Sequence, residues 1–372
     1  MTAVGPRALL LAAAAVIAAC ASSEKPKPAP LEPLTAQIAG RQVWSARVDR
    51  IDFPLTIAVN NDVFMVAGRD GTVRALRATD GTEVWRGSAG ALLTAGVGSD
   101  GRFAAVVTRD NELVVLEGGS VKWRARLASR VTTAPLVAGE RVFVMGVDRA
   151  VQAFDALDGR RLWTLQRPGD PLTLLQRGVL APFGDTLLAG QGSRLAGVDP
   201  LRGTVRWEVA VATPRGTNEV ERLADLVGPA VRQGDRVCAR AFQSAVGCVD
   251  ALRGVLLWNR NTGGTEAVGG NAQIIVGADA SSRVTAWKAD SGEVAWTHER
   301  LLHRELSAPL VVGPTAVFGD VEGYVHFLST VDGQTLLRLG TDGSAVVAPP
   351  VLAGTTILVA TRAGGLFAFR PQ

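Results

Sequence analysis

Short apolar runs alternate with turn-forming residues along most of the chain, and no stretch carries the 3.6-residue apolar period of a helical solenoid. Residues 62–67 read as a strand, 68–71 as a turn, 72–77 as a second strand, and Asp80-Gly81 as a tight turn into a strand bearing Trp85. Asp-Gly supplies the positive φ values that a tight hairpin demands. The runs at 134–138, 142–146 and 151–155 repeat the arrangement ahead of Trp163. Within each run valine, alanine and leucine occupy both faces, as expected of sheets buried on both sides.

The runs belong to a repeat. The strings ATDGTEVW, DALDGRRLW, DPLRGTVRW, DALRGVLLW and KADSGEVAW end at Trp85, Trp163, Trp207, Trp258 and Trp296. A shorter version, EGGSVKW, ends at Trp123, GRQVW ends at Trp44, and STVDGQTLL puts Leu337 where an eighth tryptophan would fall. Successive marks lie 41, 38, 40, 44, 51, 38 and 41 residues apart, a period that suits four short strands and their turns. The expected fold is all-β: an eight-bladed β-propeller of four-stranded antiparallel blades. Trp44 has no blade before it, and the last three strands, near 346–352, 355–360 and 365–369, lack a fourth. The N-terminal strand around 42–48 is therefore expected to complete the last blade and so remove an exposed edge.

The ends change the picture of where this ring sits. Arg7, an apolar run over 8–19 and Cys20 follow the order of a bacterial export signal. The run is too short for the roughly 20 residues of a spanning helix. Ile17-Ala18-Ala19-Cys20 resembles a lipobox, so residues 1–19 read as a cleaved signal and Cys20 as a lipidated N-terminus. Ala21 and Ser22 follow, without an aspartate at the second position, which in such lipoproteins resembles the pattern for the outer membrane, facing the periplasm. Residues 20–34 read as a lipidated, flexible, proline-rich tether and 35–372 as the propeller. The formal charge of +4 falls to +3 without Arg7, and no basic run interleaved with aromatics appears, so nucleic acid is not an expected partner.

The unit A-x-D-x-x-x-G-x-x-x-W, seen in DALDGRRLW, DALRGVLLW and KADSGEVAW, resembles the tryptophan-docking repeat of the PQQ-type propellers. Quinoprotein dehydrogenases and the BamB family of lipoproteins, from the outer-membrane β-barrel assembly (BAM) machine, share it. The resemblance to the BamB family spans nearly the whole chain. It includes the lipobox, the eight units, Pro171-Leu172-Thr173-Leu174-Leu175-Gln176-Arg177-Gly178, and the segment 216–225 with Glu219, Arg222 and Asp225. It implies a non-enzymatic scaffold without cofactor. Such a scaffold docks as a monomer, within a hetero-complex, on the periplasmic POTRA repeats of BamA and other BAM subunits, and nascent barrel strands could pair with its blade edges. Both segments fall in the 44- and 51-residue intervals, where long loops on a rigid scaffold place function. Leu172, Leu174, Leu175 and Arg177, with Glu219, Arg222 and Asp225, are the expected partner-binding residues. Which leucines face outward stays open, as does a purely structural reading of 172–175 as the innermost strand of the fourth blade. Glu219 could pair with Arg222, and Arg177 could cap a turn carbonyl. The tryptophans 44, 85, 123, 163, 207, 258 and 296 are expected to be core residues that dock one blade on the next.

Chemistry is sparse. His298, His303 and His326 stand at no spacing that resembles a zinc site, and His298 and His303 fall in a segment that reads as a solvated loop. No G-x-S-x-G, H-E-x-x-H or phosphate loop occurs. A quinoprotein dehydrogenase would carry adjacent cysteines and a longer chain; a polysaccharide-binding propeller would offer exposed aromatics. Cys238 and Cys248 read instead as facing strands of a hairpin turning near Gln243 and Ser244. In an oxidising compartment they are expected to form a disulfide, the alternative being two small buried apolar side chains.

Overall fold

The computed structural model describes residues 26–167, 172–214 and 217–372; the signal segment and Cys20 lie outside the described residues. Eight antiparallel four-stranded sheets follow one another as blades, seven of them in simple sequence order. Blades one to seven span 58–88, 93–126, 136–165, 180–210, 226–261, 269–298 and 310–340. The eighth joins three C-terminal strands to Gly40–Arg47 as its outermost strand, with Gly40 opposite Pro371 and Arg47 opposite Gly365. The innermost strands sit side by side around the axis, and that of the first blade touches that of the eighth, which closes the ring. Second and third strands are buried almost throughout, on both faces, which accounts for the weak alternation of the sequence.

A β-bulge recurs at one position in every blade, where the third strand meets the fourth just before the marked residue. Bulges increase twist and re-aim a side chain. Here they turn each indole out of its own sheet and onto the next blade. Trp44, Trp123, Trp163, Trp207, Trp258 and Trp296 each lie against the turn glycine of the following blade, where an added Cβ would meet the ring at 2.5–2.7 Å. Five of these donate Nε1–H to a carbonyl of that turn: Ala78, Ala156, Pro200, Ala289 and Thr330, at 2.8–3.0 Å. In the second blade Gly118 and Gly119, both with positive φ, form a two-residue turn between Glu117 and Ser120. This explains how EGGSVKW dispenses with the aspartate. At the eighth mark Leu337 packs against Gly40.

The proline-rich segment departs from the expected free tether. Ala29 exchanges backbone and side-chain bonds with the connection between blades six and seven, and Gln37 donates to the Leu336 carbonyl. Leu31 packs on the core shared by blades six and seven and Ile38 on that of blades seven and eight. The apolar positions between the prolines supply contacts that composition alone does not reveal.

Candidate docking surface

One face of the ring carries the tight turns between third and fourth strands; the other carries the connections that lead from one blade to the next. Both long intervals extend this second face. The innermost strand of the fourth blade is Leu180–Phe183, so residues 172–175 form a loop ahead of it and not the strand itself. The following connection, before Leu226–Gln233, contains residues 217–225.

Asp225 joins the two. Its carboxylate accepts the Leu174 amide at 3.0 Å and pairs with Arg149 of the third blade at 2.9 Å, while Arg149 also donates to the Leu172 carbonyl at 3.2 Å. An acid bound at once by a backbone amide and a guanidinium is a brace, and only a small part of this one meets solvent. The leucines then separate by direction. Leu172 and Leu175 are 36% and 57% exposed, whereas Leu174 packs inward against Val227, Ala267 and Ala308. Glu219 and Arg222 are exposed beside Val220, which is 71% exposed. Their turn is ordered locally: the Glu221 carboxylate accepts from the Thr217 amide and hydroxyl, which holds its pKa below the usual glutamate value. Val220 escaped the sequence reading because a single apolar residue in a charged turn has no period to mark it.

Arg177 does not join this surface. Its guanidinium reaches across the ring, donating to the Leu55 carbonyl at 2.8 Å and to Glu266 at 3.2 Å. Burial pulls its pKa below the ordinary arginine value, and the Glu266 carboxylate partly restores it. The inward direction follows from the bracing itself: the chain turns in after Leu175, toward the bridge between Gly178 and Val227. The carbonyl it caps belongs to the segment ahead of the first blade, 122 residues away, which no local motif could show.

Beside Arg177 the axis opens into a cavity of about 590 Å³, lined among others by Asp52, Asp279, Glu305 and Arg362. Of its charged side chains, Arg177 pairs with Glu266 and Asp52 with Arg69 at 2.6 Å. Behind it the fully buried Arg240 donates to the Gly263 and Ala278 carbonyls, with its pKa lowered by burial to about 10. Among the described residues no group of three His, Cys, Asp or Glu converges as a metal site would require. The arrangement is one of braced loops beside a polar cavity, suited to holding a partner by shape.

The profile described as outer membrane protein assembly factor BamB matches residues 69–298. The chain belongs to the BamB family. The assembly factor BamB of Burkholderia pseudomallei is 37% identical over 369 residues, covering 97% of this chain and 96% of that protein. The crystal structure of BamB from Moraxella catarrhalis superimposes with a TM-score of 0.80 at 25% identity, covering 89% of this chain and 99% of that one. The quinohemoprotein alcohol dehydrogenase of Comamonas testosteroni reaches 0.69 at 14% identity over 89% of this chain and 76% of that one, a likeness of fold alone. The family is one of assembly factors rather than enzymes, and places this chain with the outer membrane.

Proposed function

We propose that this chain is a non-enzymatic scaffold of the outer-membrane β-barrel assembly complex, held to the membrane through a lipidated Cys20, facing the periplasm, and docking on the POTRA repeats of BamA. The observation that carries the docking is the exposure of Leu172, Leu175 and Val220 on two loops of one face that Asp225, bonded to Leu174 and Arg149, ties together. Apolar side chains displayed on a fixed loop lose little entropy on binding, and Glu219 and Arg222 give them a polar rim. Nascent strands have an edge to pair with in Val255–Asn261, the outermost strand of the fifth blade, where Val255, Leu256 and Leu257 are each at least 40% exposed.

The test separates docking from folding. Leu172→Ala with Leu175→Ala should weaken co-purification of BamA by about 1–3 kcal/mol per hot-spot residue, with the melting temperature at the wild-type value. Full recovery of BamA by the double variant would move the docking surface elsewhere on the ring. Arg177→Ala is the contrasting control: it should lower the melting temperature, because it uncovers Glu266 and the Leu55 carbonyl.

A further inference from the structure

We propose that the outer surface of blades six and seven is a binding site for the chain's own proline-rich segment 26–38, and that this segment acts as a strap which fixes where the membrane anchor leaves the ring. The strap rests on the contacts below; its consequence for the membrane rests also on the reading of Cys20 as lipidated.

The contacts run in order along the segment. The Ala29 amide donates to the Leu302 carbonyl at 2.9 Å, and the Ala29 carbonyl accepts from Arg304 at 2.8 Å. Leu31 packs on the core shared by blades six and seven. Glu32 pairs with Arg300 at 3.3 Å, and its carbonyl accepts from Arg338 at 3.1 Å. The Gln37 amide donates to the Leu336 carbonyl at 2.8 Å, and Ile38 enters the apolar cluster of blades seven and eight. Pro28, Pro30 and Pro33 bring no N–H that would need a partner, and proline restricts the free chain, so ordering this stretch costs less entropy than ordering a glycine-serine linker.

The receiving site is built. Arg304 is 1% exposed, and its guanidinium is held by Asp320 at 2.7 Å and by Glu322 while His326 shares the same Asp320 oxygen at 2.9 Å. Its third donor group is the one that meets the Ala29 carbonyl. A buried guanidinium is costly without partners, and the strap supplies the one at Nη1, so that each of the three nitrogens donates at least once.

Direction follows from topology. Leu302 and Arg304 belong to the connection between blades six and seven, on the face that carries the docking loops. Leu336 stands at the start of the outermost strand of blade seven, Thr335–Gly340, next to the opposite face. Traced backward from Ile38, the segment climbs that strand and leaves at the docking face. From Cys20 to Ala29 the chain spans at most about 30 Å, at roughly 3.3–3.6 Å per residue. The strap therefore holds the docking face toward the bilayer at short range.

Two measurements decide this. In the mature chain without lipid, hydrogen exchange at the Ala29 and Gln37 amides should be at least tenfold slower than in Leu31→Asp, a variant outside the blades in which exchange at distant core amides such as Val106 should stay slow. Equal exchange in the two proteins would overturn the strap. On liposomes carrying a lipid-borne quencher, the acylated chain should show at least twofold stronger quenching of a fluorophore at Glu299→Cys than of one at Asp290→Cys, on the other face of the same blade. Leu31→Asp should narrow the difference, and equal quenching in the wild-type background would overturn the orientation. Mass spectrometry of the N-terminus reports the anchor separately: an unmodified Cys20 would sink that reading and leave the exchange result to judge the strap.

Discussion

Six junctions between blades are closed by an indole laid on a turn glycine, and a seventh, at Trp85, approaches Gly119 in the glycine pair of blade two. The eighth, between blades seven and eight, is closed by Leu337 on Gly40, beside an apolar groove of about 380 Å³ that also involves Ile38, Leu339 and Phe369. The difference lies in the covalent chain. Elsewhere the third and fourth strands form one hairpin, whose turn offers a glycine floor and, for five of the seven indoles, a carbonyl acceptor. In blade eight those strands are the two ends of the domain, Gly365–Pro371 and Gly40–Arg47, so there is no turn to dock on. The closing junction gives up the directional bond and relies on apolar contact and on the backbone pairing of its terminal strands.

The largest effect should come from breaking a docked junction. Trp258→Ala removes a ring 6% exposed, its bond to the Ala289 carbonyl and its seat on Gly292, and should cost about 3–5 kcal/mol in chemical unfolding. Leu337→Ala removes fewer atoms beside space that is already open and should cost about 2–3 kcal/mol. Equal losses would show that the indole's hydrogen bond and glycine seat add nothing beyond apolar contact.

Next in size is the cross-link in the same blade as Trp258. Cys238 and Cys248 face each other across neighbouring strands, joined with Cα atoms 4.0 Å apart, and Trp258 is the register partner of Cys248 on the other side. The intervening turn at 242–244 includes Gln243 with positive φ. Closing so short a loop should contribute about 2–3 kcal/mol, lost in Cys238→Ala with Cys248→Ala. Thiol labelling of the denatured, unreduced mature chain checks the bond itself: labelling of both positions would end the claim.

These junctions were legible because their causes are local. Asp-x-x-x-Gly-x-x-x-Trp, complete at Trp163, Trp207 and Trp258, places a turn, a bulge and an indole within nine residues, and with the altered or shortened forms at the other five marks it points to blade number and closure. The partner-facing loops were legible only as unusual intervals, since interval length says nothing about direction: Leu174 and Arg177 turn inward while Leu175, between them, turns out. Arg177, Arg240 and Arg304 were opaque for one further reason. Each is held by backbone carbonyls far along the chain, and a carbonyl has no letter in the sequence.

A smaller effect would sharpen the comparison from the other side. Leu337→Trp offers the eighth junction the residue of the other seven. With the groove beside it to receive part of the ring, the substitution should stabilise by about 0.5–1 kcal/mol, less than a docked indole contributes, because no turn carbonyl stands ready. A loss of stability would mean that the groove is closed to an indole and that the leucine is required by shape.

The smallest effect is a slope with pH, and it belongs to the blades on which the strap lies. His326, opposite Arg338 on blade seven, is fully buried with Nε2 against Asp320; His298, at the end of blade six, is also buried rather than in the solvated loop its neighbours suggested. Desolvation holds both histidines below the ordinary value, in part opposed for His326 by Asp320 and reinforced by Arg338 and Arg304. Asp320 titrates in a lower range: burial opposes its charge, but His326, the Tyr324 amide and Arg304 keep its carboxyl below the usual aspartate value. The unfolded chain therefore takes up protons on both histidines from about pH 6.5 downward while the folded chain resists. The contribution of the two histidines is fully present above that pH and falls as the pH drops toward the folded values. Melting temperature measured from pH 7.5 to 5 should decline below about 6.5, and His326→Gln with His298→Asn should flatten the decline. An unchanged slope in the double variant would place the titrating groups elsewhere in the ring.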